Sequence, residues 1–192
     1  TYDYSKRATI AYNHLNIPST ISFQNRNIIE YRYDATGKKI TTTRKTSSSS
    51  TAEIQHCLGG IEYKQQVGIS NYRLEAIYHP EGRLYNTNIT NLSLSTIAFR
   101  NEFCIKDHLG NTRLTFADKN NNGQIDVTSE ILQENHYYPF GMNMGGPWMN
   151  DLAANDKLYQ YNGKQLESLG GLGCNDYGAR WYDASVGRWS SV

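Results

Sequence analysis

The sequence predicts an all-β chain of stacked antiparallel β-hairpins with little helix, and three observations carry that expectation. Apolar and polar residues alternate along short segments, turn residues recur between those segments, and tyrosine dominates the aromatics at 15 against 5 Phe and 3 Trp. Alternation marks a half-buried strand, because successive side chains leave it on opposite faces. Tyrosine suits such a face, since its ring packs while its hydroxyl finds water or a partner.

Along the chain, the first clear strand is NIIEYRYD, in which Ile29, Tyr31 and Tyr33 share one face and Glu30 and Arg32 the other. It runs into a turn whose template is Tyr, a polar residue, two spacers, Gly and a basic residue. Tyr33-Asp34-Ala35-Thr36-Gly37-Lys38 matches Tyr78-His79-Pro80-Glu81-Gly82-Arg83 position for position, and Tyr12-Asn13-His14-Leu15-Asn16 is a degenerate copy without the Gly. One hairpin cannot bury its own face, so such units are expected to stack. The polar tract TTTRKTSSSSTAE, residues 41–53, is expected to be a mobile loop or a long hairpin whose tip leaves the sheet. Alternation resumes in NTRLTFAD with Thr112, Leu114 and Phe116. The irregular stretch MNMGGPWMND is expected to cover apolar surface through its Met and Trp, and WMNDLAANDKLYQY is the best helical candidate, short enough to be a minor insert.

Charge and cysteine content narrow the functions. Lys+Arg is 19 and Asp+Glu 18, so no field of one sign exists to attract nucleic acid or an anionic membrane. Cys57, Cys104 and Cys174 are far apart and odd in number, which reads as small buried residues rather than a disulfide framework or zinc knuckle. No apolar run is long enough for a membrane span. The opening TYDYSKRATIAY lacks the features of a signal peptide and begins in mid-pattern, as a fragment would.

The stretch DKNNNGQID has the spacing of a calcium loop, with Asp118, Asn120, Asn122, Gly123 and Asp126. A full loop needs a bidentate acid at its twelfth position, which is Ser129, while Glu130 lies one residue late. Strand-like flanks favour a hairpin turn with Asn and Gly at the left-handed positions, and a weak calcium site is the alternative.

Four motifs stand in order: the turn YDATGKK; Asp107-His108-Leu109-Gly110-Asn111-Thr112-Arg113; Tyr138-Pro139-Phe140-Gly141; and Gly178-Ala179-Arg180-Trp181-Tyr182-Asp183 followed by Gly187-Arg188-Trp189. Together with YQYNGKQLE they resemble the Rhs/YD-repeat family, and specifically its C-terminal Rhs repeat-associated core. On that resemblance, residues 1–100 are YD-repeat-like hairpins and residues 101–192 the core domain. The family's β-ribbon coils into a curved or closed shell around a C-terminal polymorphic toxin. Its core ends in an aspartic-protease-like site whose leading Asp lies in an Asp-Pro step just after a motif like GRWSSV. This chain stops at Val192, before that position, so it is expected to be no enzyme by itself. Two departures bear on how tightly the end packs: Asp183-Ala184 stands where the family reads Asp-Pro, and Gly173-Cys174-Asn175 where an aromatic usually precedes the last motif.

The resemblance therefore implies an encapsulating segment of a secreted bacterial toxin that scaffolds self-cleavage. Its partners would be the toxin cargo, the rest of the shell and a secretion apparatus, either an injection system or an outer-membrane translocon. No cofactor is expected. The alternative is a cell-surface YD-repeat adhesin that holds glycans or a partner protein through exposed Tyr and Trp. Residue by residue, the bland reading prevails: Asp107 beside His108 has no nucleophile near it, Arg113, Arg180 and Arg188 bond within the shell, and Tyr137 to Gly141 is core rather than a sugar platform. Asp176 and Asp183 are considered as a carboxylate pair, but an Asp in WYDASVGR more naturally opens a turn.

Overall fold

Strand formation follows the alternation almost without exception. A computed structural model describes residues 2–3, 6–49, 52–65, 71–88, 97–146 and 159–190. The strands are β1 (Tyr2–Asp3), β2 (Ala8–Tyr12), β3 (Pro18–Phe23), β4 (Ile28–Tyr33), β5 (Lys39–Lys45), β6 (Glu53–Leu58), β7 (Ile61–Gln65) and β8 (Arg73–His79). They continue with β9 (Gly82–Asn86), β10 (Phe99–Lys106), β11 (Thr112–Phe116), β12 (Ile131–Glu134), β13 (Gln165–Glu167), β14 (Cys174–Asp176), β15 (Trp181–Asp183) and β16 (Arg188–Trp189). Among the described residues β1 to β12 form one sheet and β13 to β16 a second, both in strict chain order and antiparallel throughout. The large sheet crosses residue 100 inside β10 without a break in pairing.

One face of the large sheet is buried along its length, but its chemistry changes midway. In β2 to β4 the register sets Ile10 opposite Ile21 and Ile21 opposite Ile29, and this row is covered by Leu172, Cys174 and Trp181 of the small sheet's region. From β5 onward the same face is polar: Thr42 pairs with Gln55, Arg83 pairs with Glu102, and Glu62 lies on β7 between these pairs. The opposite face is solvated and carries exposed Leu58, Phe103 and Ile105.

The polar tract is better ordered than composition implies. Its first part is strand β5, with Thr41 and Thr42 buried, and β5 pairs with β6 from Thr41↔His56 to Arg44↔Glu53. Threonine is β-branched and fits a strand as well as valine does, so polarity here signals a polar buried face rather than a loop. The long-hairpin alternative is the one observed. Of the helical candidate, residues 148–158 lie outside the described residues, and Tyr159 to Gly163 form an isolated bridge and a 3-10 turn.

Six turns share one geometry. Beginning at Asn13, Phe23, Asp34, Asp107, Tyr138 and Gln160, each first residue donates its N–H to the carbonyl four residues on and accepts from the N–H three residues on. The fourth residue is left-handed each time: Asn16, Arg26, Gly37, Gly110, Gly141 and Gly163, at φ between 50 and 90°. This is the three-residue hairpin loop with a bulge, which needs a residue tolerant of positive φ at that point. In three of them an Asn or Asp begins the turn, and its Oδ1 accepts from the N–H groups two and four residues on. The degenerate copy at Tyr12–Asn16 therefore folds like the Tyr33 copy. The Tyr78 copy does not: β8 ends at His79 and β9 begins at Gly82, leaving only Pro80 and Glu81 between them.

These turns make a graded prediction. Gly110→Ala meets open space, so only the left-handed backbone opposes it, at about 1–2 kcal/mol. Gly141→Ala should lose clearly more, because its Cβ would lie 2.5 Å from the Tyr161 ring. Arg26→Gly should instead raise stability by up to ~1 kcal/mol, since an exposed Arg at φ 64° gives way to a residue without that strain. Thermal melting of the three variants checks the order.

Candidate functional site

Three of the sequence motifs meet around one residue of the YQYNGKQLE stretch. Tyr161, in the turn Gln160 to Lys164, has its ring 5.8 Å from that of Tyr137 and stacked 6.0 Å from that of Tyr182. The same turn ties back to the Asp107 motif: Asn162 N–H donates to Asn111 Oδ1 at 2.8 Å, and Thr112 N–H donates to the Gln160 carbonyl at 3.1 Å. Tyr182 donates its hydroxyl to the Phe140 carbonyl at 2.9 Å, joining the Tyr138 motif to the last one. The signal that identifies Tyr161 is the Gly163 turn template, read as a tether between motifs instead of a separate hairpin.

Most expected site residues have a structural partner, but Tyr137 to Gly141 is not core as expected: Tyr138, Pro139 and Phe140 are exposed, because only Tyr137 and Gly141 pack against Tyr161. Asp107 Oδ1 holds the N–H groups of Leu109 and Asn111 while its Oδ2 accepts from Asn111 Nδ2; burial raises its pKa, yet these bonds prevail and hold it below the ordinary value. His108 and Leu109 are exposed at the turn tip, away from any nucleophile placed to use them. Arg113 lies 3.2 Å from His136 Nδ1 and over the Tyr137 ring. Phe140 and Trp189 are exposed, Arg180 lies over the Trp189 ring, and Gly178 accepts no strain at φ 89° while donating to Asp176 Oδ1. Trp181 is buried against Tyr31 at 5.7 Å between ring centres. Gly187 leaves room for the Phe140 ring, Pro139 is exposed, and Arg188 is exposed on β16.

The carboxylates considered for acid–base work have separate partners. Asp176 pairs with Lys39, whereas Asp183 pairs with Lys6 at 2.6 Å and accepts from the Ser185 N–H and hydroxyl, opening a turn. A proton-sharing dyad needs two carboxylates against each other, not each against its own lysine. Residues that sequence reasoning missed are the buried charges of the polar face. Glu62 accepts from Gln55 Nε2 at 3.0 Å and the Tyr78 hydroxyl at 2.8 Å, and burial pushes its pKa up. Glu102 is held between Arg83 and Arg100. A cavity of about 370 Å³ opens over this face, lined by Glu62, Tyr78, Arg83, Cys104, Gln133 and Tyr159 among others.

The calcium-like loop is organised by its own backbone. Asp118 accepts from the Asn122 and Gly123 N–H groups. Glu130, 1% exposed, accepts from the Lys119 and Asn120 N–H groups through Oε1 and from the Asp126 N–H through Oε2. Asn120 accepts from the Asn122 N–H, and Asp126 is held below its ordinary pKa by bonds from Thr128 and Ser129. Asn121 and Gly123 take the left-handed positions. Among the described residues no group of three or more His, Cys, Asp or Glu side chains is placed to hold a metal, and no helix is long and apolar enough to cross a membrane.

Fold and site together define a repeat-built antiparallel sheet covered at one end of its buried face by its own C-terminal sheet. No protein-family model matches the chain. Toxin subunit YenC1 of Yersinia entomophaga is 34% identical over 71 residues, 36% of this chain and 7% of that protein. The crystal structure of TcdB2-TccC3-Cdc42 shares the fold at a TM-score of 0.69 and 19% identity over 95% of this chain. The Photorhabdus luminescens Tc holotoxin pore, with a mutated TccC3, does so at 0.69 and 18% over 97%. This chain spans only 9% of the length of either structure's matched chain.

For the loop, Glu130→Ala is expected to lower stability by ~3 kcal/mol, because three N–H groups lose a charged acceptor in a buried place. Titration with millimolar calcium should give no binding heat and no rise in Tm, as the carboxylates already serve the backbone. Heat accompanied by a higher Tm would reverse that assignment.

Proposed function

We propose that this chain is a wall and closing segment of an Rhs-type toxin shell, with a scaffolding role and no catalytic one of its own. The observation that carries the reading is a fold shared over 95% of the chain with TcdB2-TccC3, joined to 34% identity over 71 residues with a toxin subunit. The structure is chemically consistent with it. A strictly sequential sheet extends by adding hairpins before β1, so longer chains of the same kind continue the wall there and cover that open edge.

In this reading the parent protein carries a toxin after this segment and releases it by cutting itself at an Asp-Pro step. It leaves a bacterium by a secretion apparatus. Exposed Tyr138, Phe140 and Trp189 supply the rival reading, a surface adhesin whose aromatics hold glycans or a protein.

The full-length parent protein separates the two. Intact mass after purification should show two fragments that merge into one when the Asp of the Asp-Pro step is changed to Asn, and the C-terminal fragment should resist added protease until the shell is denatured. A single uncut chain with a protease-sensitive C-terminus would support the adhesin.

A further inference from the structure

The seam between the two sheets is charged in one direction. Among the described residues the ion pairs that cross it are Lys6–Asp183 at 2.6 Å, Lys39–Asp176, and Arg44–Glu167 at 2.8 Å. Each cation comes from the large sheet or the turn leading into β2, and each carboxylate from the small sheet. The Asp176 and Glu167 side chains are only 6% exposed, so water screens these two pairs little.

We propose that the small sheet is a separable plug latched by these carboxylates, and that neutralising them undocks it while the large sheet stays folded. This concerns the seam itself and stands apart from the toxin-shell reading. Loss of the acids leaves Lys39 enclosed without its counter-charge and Arg44 with Glu53 alone, an arrangement that opposes docking. Glu53 and Gln55 of β6 still face Arg44, and Gln55 Oε1 also accepts from Gln165 Nε2 of the small sheet at 3.4 Å, an uncharged contact that does not replace the lost charges.

The apolar side of the seam is imperfect in a way that favours parting. Tyr31, 6% exposed, has its hydroxyl buried without a hydrogen-bond partner, in the field of Glu167 and Asp176. Undocking returns that hydroxyl to water, which relieves an unmet donor. Tyr33 from β4 also faces Asp176, and its hydroxyl is satisfied by the Pro18 carbonyl at 2.6 Å. Around Asp183 stand Lys6, Ser185 and Tyr182.

The sign of the acid response follows. Burial raises the Asp183 pKa, but the bonds from Lys6 and Ser185 prevail and hold it below the ordinary carboxylate range. A lowered carboxylate contributes stability that is present above its unfolded pKa of about 4 and is lost as pH falls through the folded value. Acid below about pH 4 therefore unlatches the plug.

Cys174 reports the event, since it is 4% exposed in the seam, whereas Cys104 lies on β10 of the large sheet away from the latch carboxylates and serves as the control. In the full-length protein at pH 7, combining Glu167→Gln, Asp176→Asn and Asp183→Asn should speed maleimide labelling of Cys174, read by peptide mapping, by at least ~10-fold through local opening. Cys104 should keep its rate. An unchanged Cys174 rate, or equal acceleration at Cys174 and Cys104, would overturn the proposal. In the unmodified protein, hydrogen exchange corrected for intrinsic rate should lose protection at residues 174–183 as pH falls below about 4, before strands β6 to β9 do; simultaneous loss would overturn it independently.

Discussion

Everything in this molecule depends on covering a row of three isoleucines. Ile10, Ile21 and Ile29 lie side by side across β2 to β4, with Ile21 and Ile29 fully buried. A single sheet cannot hide such a row, and the solution is a second, smaller sheet made from the far end of the chain. Leu172, Cys174 and Trp181 fill the space, and Gly170 lets the backbone approach the Phe23 ring where a Cβ would lie 2.7 Å from it. Burying a Trp, a Leu and their isoleucine partners provides several kcal/mol at about 25 cal/mol per Å². The charge pairs at the seam then set orientation, which non-directional apolar contact cannot do.

Beyond β5 the buried face works by a different rule. Glu62, Glu102 and Glu130 are each about 1% exposed, and each is supplied with donors: Gln55 and Tyr78, Arg83 and Arg100, or loop N–H groups. Such interiors gain little net stability over an apolar packing, because desolvation offsets the attraction. They do gain register. A one-residue slip of β10 on β9 would turn Glu102 to the solvated face and leave Arg83 facing the cavity alone.

Much of this was legible in the letters. The alternation of Ile29, Tyr31 and Tyr33 against Glu30 and Arg32 gave the correct faces, and Asp-x-x-Gly gave the turns, because both depend on neighbours a few residues apart. Three things were not. For Thr41 to Lys45 polar composition leaves loop and long hairpin both open, and only β-branching favours the hairpin that forms. The likeness between the Tyr33 and Tyr78 turns was one of letters, since His79 lacks the side-chain oxygen with which Asp34 holds its turn. The Tyr161 hub and the seam join residues more than 50 positions apart, such as Asn111 to Asn162 and Arg44 to Glu167, and no local pattern encodes such distances.

The strict chain order of the strands has a consequence for how the molecule comes into being. Each strand of the large sheet pairs with the one just made, so the wall can grow as the chain is synthesised, one short-range step at a time. The Ile10 row stays open through all of this, because its cover lies at 172–181 and Lys6 waits for Asp183, 177 positions later. The nascent wall thus spends its assembly with an adhesive face uncovered, and the short strands β13 to β15, made after the wall, are the ones that end its exposure to wrong partners.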